Sequence, residues 1–356
     1  MCIACHTAVT SDEFAGELLA TLNSAAEAIM ISIGHRTGLF DAMADGASLT
    51  SHDLAGRAGL HERYVREWLG AMTCARIVIH DRASGSYHLP AAHAALLTRA
   101  ASPNNLAAVM QWIPLMASVE EEITEAFRHG RGVPYSAYTR FAEVMAEESG
   151  QTVVAGLDEH ILPLVPDVVR RLEAGIDVLD VGCGVGWALM ALAERFPRSR
   201  FVGYDLLPEQ IERAQAEAES RGLANVRFEA RDVAAWSAPD AFDFITTFDA
   251  VHDQARPSDV LQNIREALRP GGVYLCQEIK AETAHADNLD HPTGTFIYAI
   301  STTHCMSVSL AHGGPGLGAA WGRTLCRSML ADAGFDHVEM HELPHDPMND
   351  FWVCRV

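Results

Sequence analysis

The stretch Val178-Leu179-Asp180-Val181-Gly182-Cys183-Gly184-Val185-Gly186 decides the fold. Its apolar first half predicts a buried strand, and its second half is a loop with glycine at alternate positions, followed by a predicted helix from Trp187 to Phe196. Glycines let a ligand approach the backbone where a side chain would block it. The pattern therefore predicts a nucleotide-type cofactor site, although dinucleotide-binding folds also place a glycine loop here.

Carboxylates follow the next two predicted strands and sharpen this interpretation. The strand 200–204 ends at Asp205, which is suited to accept both hydroxyls of a ribose. The strand 225–230 is followed by Asp232-Val233, a carboxylate and an apolar neighbour that could grip an adenine. The fourth strand, 242–247, is followed by the turn Arg269-Pro270-Gly271-Gly272 and a fifth strand. Short apolar strands that alternate with helices predict a doubly wound α/β sheet.

In this order, the motifs resemble those of class I S-adenosylmethionine-dependent methyltransferases. The resemblance implies a Rossmann-like seven-stranded sheet with an antiparallel last strand near 351–355, and S-adenosyl-L-methionine as cofactor with S-adenosyl-L-homocysteine as product. It implies that the loop glycines pass the methionine part of the cofactor and that Asp205 holds the ribose. The expected cofactor-binding residues are Asp180, Gly182, Cys183, Gly184, Gly186, Asp205, Leu206, Asp232, Val233 and Phe248.

The residues after the fourth strand should face the reacting methyl group, because ligands of open α/β sheets bind beyond the carboxyl ends of the strands. Here the chain reads Val251-His252-Asp253-Gln254. Small-molecule O-methyltransferases with an N-terminal winged helix carry a His-Asp-Trp element whose histidine is the general base. The first two positions match, but Gln254 replaces the tryptophan. We expect His252 to act as base or to orient the substrate, with Glu278 at the end of the fifth strand available to orient a histidine or to bind a substrate hydroxyl.

An insertion at 280–320, after the fifth strand, is expected to help wall a substrate pocket. Over nearly the whole chain the sequence resembles bacterial two-domain methyltransferases known from mycobacteria, through Val251 to Gln254, His304-Cys305-Met306 and Gly316 to Gly322. Substrates of that group are poorly defined. The resemblance therefore implies a small-molecule acceptor but does not indicate whether its O, S or N atom is methylated. The expected substrate-contacting residues are Trp112, Tyr135, Tyr138, His291, Tyr298, His304 and Met306.

The first hundred residues predict a winged helix-turn-helix. A long helix from Asp12 to Ile33 precedes three shorter helices and a hairpin at 76–80 and 86–89. Arginines and carboxylates are balanced between Ser24 and Ala100, which favours dimerisation over DNA binding. We expect three segments: a winged-helix domain at 1–100 that forms a homodimer, a helical linker with pocket-forming helices at 101–175, and the cofactor-binding domain at 176–356.

Composition narrows the function classes. The net charge of −21 disfavours nucleic acid and anionic membranes as partners. The start of the chain lacks the pattern of a signal peptide, and scattered cysteines suit reduced thiols, so a cytoplasmic protein is expected. Cys2-x-x-Cys5-His6 lacks a matching second pair, and no metal site is expected.

Two alternatives stay open at this stage. A thioether S-methyltransferase, distantly similar to the bacterial enzymes that make dimethylsulfoniopropionate precursors, would use the same fold without a base. A regulator that senses the cofactor and binds DNA would use the winged helix instead.

Overall fold

The computed structural model describes residues 10–356, which divide into two compact units at Pro114/Leu115. The candidate metal-binding residues Cys2, Cys5 and His6 lie outside the described residues. Both predicted fold types, a helical winged-helix region and a seven-stranded α/β sheet, are confirmed. The predicted segment 101–175 is divided between the two units, since residues 115–175 belong to the second.

The first unit is helical with one small hairpin. Its elements are α1 (Ser11–Arg36), α2 (Leu39–Ala42), α3 (Ser51–Ala58), α4 (Glu62–Cys74), β1 (Ile79–Asp81), β2 (Ser86–His88), α5 (Ala91–Leu97) and α6 (Leu106–Val109), while α7 (Trp112–Ala117) crosses the boundary. Thr10 and Thr50 cap α1 and α3 through capping boxes, which fixes where these helices begin. Trp68 and Phe40 meet edge to face in the core of this unit, with their ring centroids 5.1 Å apart.

Helix α1 leaves most of its apolar face uncovered. Leu18 is 55% exposed and Leu22 is 66% exposed, although the helical spacing of these residues is that of a packed face. Within residues 10–356, α1 alone is long and apolar enough to cross a membrane by length and composition, with a mean hydropathy of 1.2 in its best window. A single helix of this kind near the N-terminus is weak evidence of a membrane span.

The second unit contains the sheet, whose strands run in the order β5-β4-β3-β6-β7-β9-β8. The strands are β3 (Asp177–Val181), β4 (Arg200–Asp205), β5 (Val226–Ala230), β6 (Phe242–Phe248), β7 (Leu268–Ile279), β8 (His337–Leu343) and β9 (Asp346–Arg355). Five strands are parallel neighbours, and β9 inserts antiparallel between β7 and β8. The predicted antiparallel last strand is therefore confirmed, and it is longer than expected.

Helices of the second unit cover both faces of the sheet. They are α8 (Glu120–His129), α9 (Phe141–Ser149), α10 (Pro166–Ala174), α11 (Trp187–Arg195), α12 (Pro208–Ser220), α13 (Pro257–Ala267), α14 (Gly294–Ile300), α15 (Met306–Ala311) and α16 (Gly322–Asp332), with π-helical turns at Gly150–Val154, Leu157–Ile161 and Ser301–Cys305. One apolar core includes residues of α10, α11 and α12, and a second includes residues of α13 and α16. This layering leaves the carboxyl ends of β3, β4 and β6 to form a site.

Candidate active site

The glycine loop between β3 and α11 takes a backbone path that requires glycine. Gly182, Gly184 and Gly186 all have positive φ angles, between 54° and 77°. A Cβ atom at Gly182 would lie 2.4 Å from the Cβ of Ala250, and one at Gly186 would lie 2.4 Å from the ring of Phe228. These residues therefore let the loop pass close to neighbouring chain while its backbone stays open to a ligand.

Asp205 joins this loop to the end of β4. Its carboxylate accepts hydrogen bonds from the backbone N–H groups of Gly184 and Leu207, both at 2.9 Å. Burial raises the pKa of Asp205, while these N–H donors oppose that rise. Each carboxylate oxygen has a second lone pair, so the group can still accept from the hydroxyls of a ribose. The neighbouring Leu206 is 49% exposed.

The turn after β5 supplies a second carboxylate. Asp232 caps a short 3₁₀ turn by accepting from the N–H of Ala234 at 2.9 Å, and it forms an ion pair with Arg256 at 2.8 Å. Val233, which follows it, is buried. A fixed carboxylate beside an apolar side chain suits the polar edge and the face of an adenine.

A cavity of about 370 Å³ opens over these loops, within the second unit. All ten residues predicted to bind the cofactor line it, as does Tyr135 from the predicted substrate set. Lining residues outside the predicted sets of cofactor, substrate and catalytic residues include Phe141, Met145, Trp187, Gln210, Asp253, Gln254 and Arg256. The residues of the predicted loop motifs therefore line one cavity.

The segment after β6 turns sharply at Asp249, whose φ of 52° is unusual for a residue with a side chain. Its backbone N–H donates to the carbonyl of Gln277 at 3.0 Å, and its carboxylate accepts from the Gln277 amide at 3.2 Å. Burial raises the pKa of Asp249 well above its ordinary value, and the charge of Glu278 adds to the rise. This turn directs the next residues away from the line of β6.

His252 forms a buried ion pair behind the cavity. Its Nδ1 lies 2.6 Å from Glu278, whose carboxylate also accepts from the N–H of Val251 at 3.0 Å and the indole N–H of Trp321 at 3.2 Å. Burial alone would lower the pKa of His252, but the Glu278 carboxylate outweighs it and raises that pKa well above its ordinary value. Cys305 lies beside the same histidine.

Neither His252 nor Glu278 lines the cavity, and both side chains are almost fully buried. Ligand atoms of Asp249, His252 and Glu278 lie within 4.8 Å of one another, a grouping that could hold a metal ion. The hydrogen bond between His252 and Glu278 uses the atoms that such an ion would need. In this structure His252 and Glu278 form an ion pair beside the loop after β6.

Asp253 faces the other way and lines the cavity. Its Oδ2 accepts a hydrogen bond from the Tyr135 hydroxyl at 2.5 Å. Burial raises the pKa of Asp253 to about 6, while the neighbouring His252 and the Tyr135 hydrogen bond hold it lower than burial alone would. Its position directly after the predicted histidine was the signal that could have identified it.

The other predicted substrate residues do not line the cavity. Trp112 is buried and belongs to the first unit. The hydroxyl of Tyr138 donates to the carbonyl of Thr303 at 2.5 Å, and His291 accepts from the N–H of Thr293 at 3.2 Å.

The 280–320 insertion packs behind the cavity wall instead of forming much of it. The ring of His304 stacks on Phe141 with centroids 4.1 Å apart, and burial lowers the pKa of His304 to about 3, so its ring is neutral. The hydroxyl of Tyr298 accepts from Asn288 at 2.9 Å, and Met306 lies outside the lining. The insertion residue that does line the cavity is His312.

Two family models match this chain. Residues 25–99 match the model described as Rv2258c-like winged HTH domain, and residues 172–307 match the model described as Methyltransferase domain. The chain therefore contains a winged helix-turn-helix domain followed by a methyltransferase domain, and the predicted domain types are confirmed.

Curated relatives resemble part of the chain. Trans-aconitate 2-methyltransferase of Acidovorax sp. (strain JS42) is 30% identical over 155 residues, which is 43% of this chain and 55% of that protein. The 2-heptyl-1-hydroxyquinolin-4(1H)-one methyltransferase of Mycobacteroides abscessus is 33% identical over 117 residues, 31% of this chain and 50% of that protein. The matched stretch thus spans about half the length of these relatives.

Solved structures match the whole architecture. The structure of human N-acetylserotonin methyltransferase in complex with SAM is 17% identical, covers 98% of this chain and 99% of its own, and superposes with a TM-score of 0.68. Mitomycin 7-O-methyltransferase superposes with a TM-score of 0.66 at 18% identity, covering 96% of this chain and 97% of its own. At these identities the likeness shows a shared two-domain fold.

Proposed function

We propose that this chain, whose residues 172–307 are a methyltransferase domain, is an S-adenosylmethionine-dependent methyltransferase that acts on a small molecule. The observation that carries the proposal is the cavity formed by the glycine loop, Asp205 and the Asp232-Val233 turn, since all ten predicted cofactor residues line it. Human N-acetylserotonin methyltransferase, which has the same two-domain fold, was solved with SAM bound.

The residues of the cavity fit this cofactor. Gly182, Gly184 and Gly186 carry no side chain, and their positive φ angles favour glycine, so the backbone of this loop can contact the methionine part. Asp205 would accept the ribose hydroxyls, and Asp232 with Val233 would hold the adenine. When bound, the cofactor supplies a methyl group on a positively charged sulfur, which an acceptor lone pair can attack in line.

In this proposal His252 and Glu278 position the acceptor side of the site. Their ion pair fixes the chain from Asp249 to Gln254, and that chain carries residues that line the cavity. His252 as the general base itself stays a prediction. Its burial behind the lining supports the positioning role.

A hydroxyl acceptor is the best-supported substrate. The relative from Mycobacteroides abscessus is named for an N-hydroxyquinolone, whereas the relative from Acidovorax is named for a carboxylic acid. The names of the relatives therefore do not identify the acceptor group. The lining of the cavity includes the rings of Phe141, Trp187 and Phe248 as well as the carboxylate of Asp253. Apolar rings around a proton acceptor suit a small apolar molecule that carries a hydroxyl group.

The proposal includes a homodimer formed through residues 12–100. Phe14, Leu18, Leu19 and Leu22 of α1 are all more than half exposed, and an apolar face of this extent is typical of an interface. Isologous pairing of two α1 helices would cover it.

We place the enzyme in the cytoplasm, without nucleic acid or a membrane as partner. Cys74, Cys183, Cys276, Cys305, Cys326 and Cys354 are free thiols in the described chain. The net charge of −21 opposes binding to polyanions. A salt-dependent shift of duplex DNA by the purified protein would contradict this part of the proposal.

Calorimetric titration tests the cofactor assignment. S-adenosylhomocysteine should bind with one site per chain, and NAD⁺, the other ligand that a glycine loop suggests, should not bind under the same conditions. A folded sample that binds NAD⁺ and not S-adenosylhomocysteine would refute the proposed function.

A further inference from the structure

Two consecutive residues after β6 have their side chains on opposite sides of the loop. His252 points to Glu278 behind the cavity wall, whereas Asp253 contacts Tyr135 at the cavity. A group must reach the acceptor to exchange a proton with it. Asp253 lines the cavity in which an acceptor would bind, and His252 does not.

The hydrogen bonds of Asp253 leave it able to accept a further proton. Oδ2 is engaged by the Tyr135 hydroxyl at 2.5 Å, whereas Oδ1 has one long contact of 3.4 Å, to the side-chain amide of Gln254. That amide makes its shorter bond, 2.7 Å, to the carbonyl of Ala250. The carboxylate is thus held in place through Oδ2 and is available for a substrate proton through Oδ1.

Tyr135 is itself fixed by rings. Its ring centroid lies 5.8 Å from that of Phe141 and 6.2 Å from that of His312, and all three residues line the cavity. The stack of Phe141 on the neutral His304 ring holds this wall from behind. The hydroxyl of Tyr135 is therefore presented to Asp253 by a packed wall.

The charges of the lining disfavour an anionic acceptor. Both arginines of the lining already have carboxylate partners, since Arg231 pairs with Glu229 at 2.7 Å and Arg256 pairs with Asp232 at 2.8 Å. A substrate carboxylate near Asp253 would be desolvated beside another acidic group. A thioether acceptor has no proton to lose and would leave the Asp253–Tyr135 pair without a role.

We propose that Asp253 is the base that receives the proton of a planar, uncharged hydroxyl acceptor, a phenol or an N-hydroxy heteroaromatic, and that Tyr135 positions it. This inference rests on the proposed methyltransferase function. The acceptor oxygen forms a bond to the methyl carbon as the carbon–sulfur bond breaks. The sulfur keeps the electron pair and becomes a neutral thioether, and the O–H proton passes to Asp253.

The surroundings of Asp253 make it a base at neutral pH. Burial raises its pKa to about 6, and the groups that act on it are His252, Tyr135, Glu278 and Asp205, with Cys305 and His312 close by. Above that pKa the carboxylate is ionised and accepts the proton. Turnover should therefore fall as the pH drops through about 6.

The first test compares Asp253→Asn with His252→Gln, using 2-naphthol and 1-hydroxyquinolin-4(1H)-one as acceptors and trans-aconitate and 3-(methylthio)propionate as comparison compounds. Asp253→Asn should lower kcat by about 10²–10⁴-fold, the range for loss of a general base, with S-adenosylhomocysteine affinity within about twofold of wild type. His252→Gln should lower kcat less.

The second test needs no turnover. Burial also raises the pKa of Asp180, to about 7, so infrared titration is read as the difference between wild type and Asp253→Asn. That difference should contain a buried carboxyl that becomes protonated as the pH falls through about 6. Because the Tyr135 hydrogen bond stabilises the ionised form, Tyr135→Phe should move this midpoint and the acidic limb of kcat to higher pH. Tyr138→Phe is the matched control, since its hydroxyl donates to a carbonyl group and should not shift the midpoint.

The outcomes separate this inference from the function on which it rests. If S-adenosylhomocysteine does not bind, the methyltransferase proposal fails. If it binds and Asp253→Asn keeps full turnover, or the infrared titration of that variant is the same as that of wild type, Asp253 is not the base. If trans-aconitate or the thioether is methylated and neither hydroxyl compound is, the substrate class is refuted.

Discussion

Asp205 is the side chain on which cofactor affinity should depend most, and Asp205→Asn tests this with almost no change in volume. The carboxylate accepts from the N–H groups of both Gly184 and Leu207. An asparagine has a single side-chain oxygen, so one of these N–H groups would face an NH₂ group and lose its partner. The substitution therefore weakens the ribose contact and loosens the glycine loop together.

Hydrogen bonds to a charged group contribute about 1.5–3 kcal/mol. We expect the Kd for S-adenosylhomocysteine to rise about 10- to 150-fold in Asp205→Asn, since 1.4 kcal/mol corresponds to a factor of ten. The unpartnered N–H should also lower the free energy of unfolding by about 1–3 kcal/mol. Isothermal titration calorimetry measures the first quantity, and urea denaturation without ligand measures the second.

Glu229→Gln is the matched control for Asp205→Asn. Glu229 lies near the end of the neighbouring strand β5, its partners are Arg227 and Arg231, and it does not line the cavity. The charge change is the same, so its Kd should stay within about twofold of wild type. If Asp205→Asn binds S-adenosylhomocysteine as tightly as Glu229→Gln does, the assignment of Asp205 to the ribose is refuted.

Three further predictions concern stability and assembly. Gly186→Ala should lose about 2–4 kcal/mol of unfolding free energy in urea, because its Cβ would lie 2.4 Å from Phe228. Gly271→Ala has a similar positive φ in open space and should lose only about 1–2 kcal/mol; equal losses would contradict the packing argument. Leu22→Arg, at a position 66% exposed on α1, should give a folded monomer by light scattering. If this variant is still a dimer, this face of α1 is not the dimer interface. For His252, Glu278 raises the folded-state pKa, so the stabilisation is complete below about pH 6.5 and is lost as the pH rises through the raised pKa. The free energy of unfolding that His252→Gln loses relative to wild type should therefore be largest near about pH 6 and should shrink in alkaline solution. A loss that does not depend on pH would count against the ion pair.

The cofactor side of the site could be predicted because its signals are local in the sequence. Each apolar strand leads directly to the site residue that it presents, since Gly182 follows the last residue of β3 and Asp205 is the last residue of β4. Parallel strands bring their carboxyl ends to one edge, so order along the chain is enough to place these residues together. All ten of them line the cavity.

The acceptor side could not be predicted in the same way, because it depends on contacts between distant segments. Tyr135 and Asp253 are 118 positions apart, and no spacing rule connects them. The polar residues of the insertion suggested a pocket wall, but His304 and Tyr138 satisfy their interactions within the packed layer behind it. Which face of an irregular helix meets the cavity is decided by packing, and residue type alone does not reveal it.

The place of β9 in the sheet has a consequence for synthesis of the protein on the ribosome. Strand β9 pairs with β7 from Val273↔Arg355 to Ile279↔Asn349, and it separates β7 from β8, which precedes it in the chain. Until β9 emerges, the edge of β7 that carries Glu278 has no strand partner on that side. The nascent chain can form the glycine loop early. The ion pair of His252 and Glu278, which holds the loop after β6, should form only when the sheet is complete. The acceptor side of the site should therefore become ordered last, after the ribosome has released most of the domain.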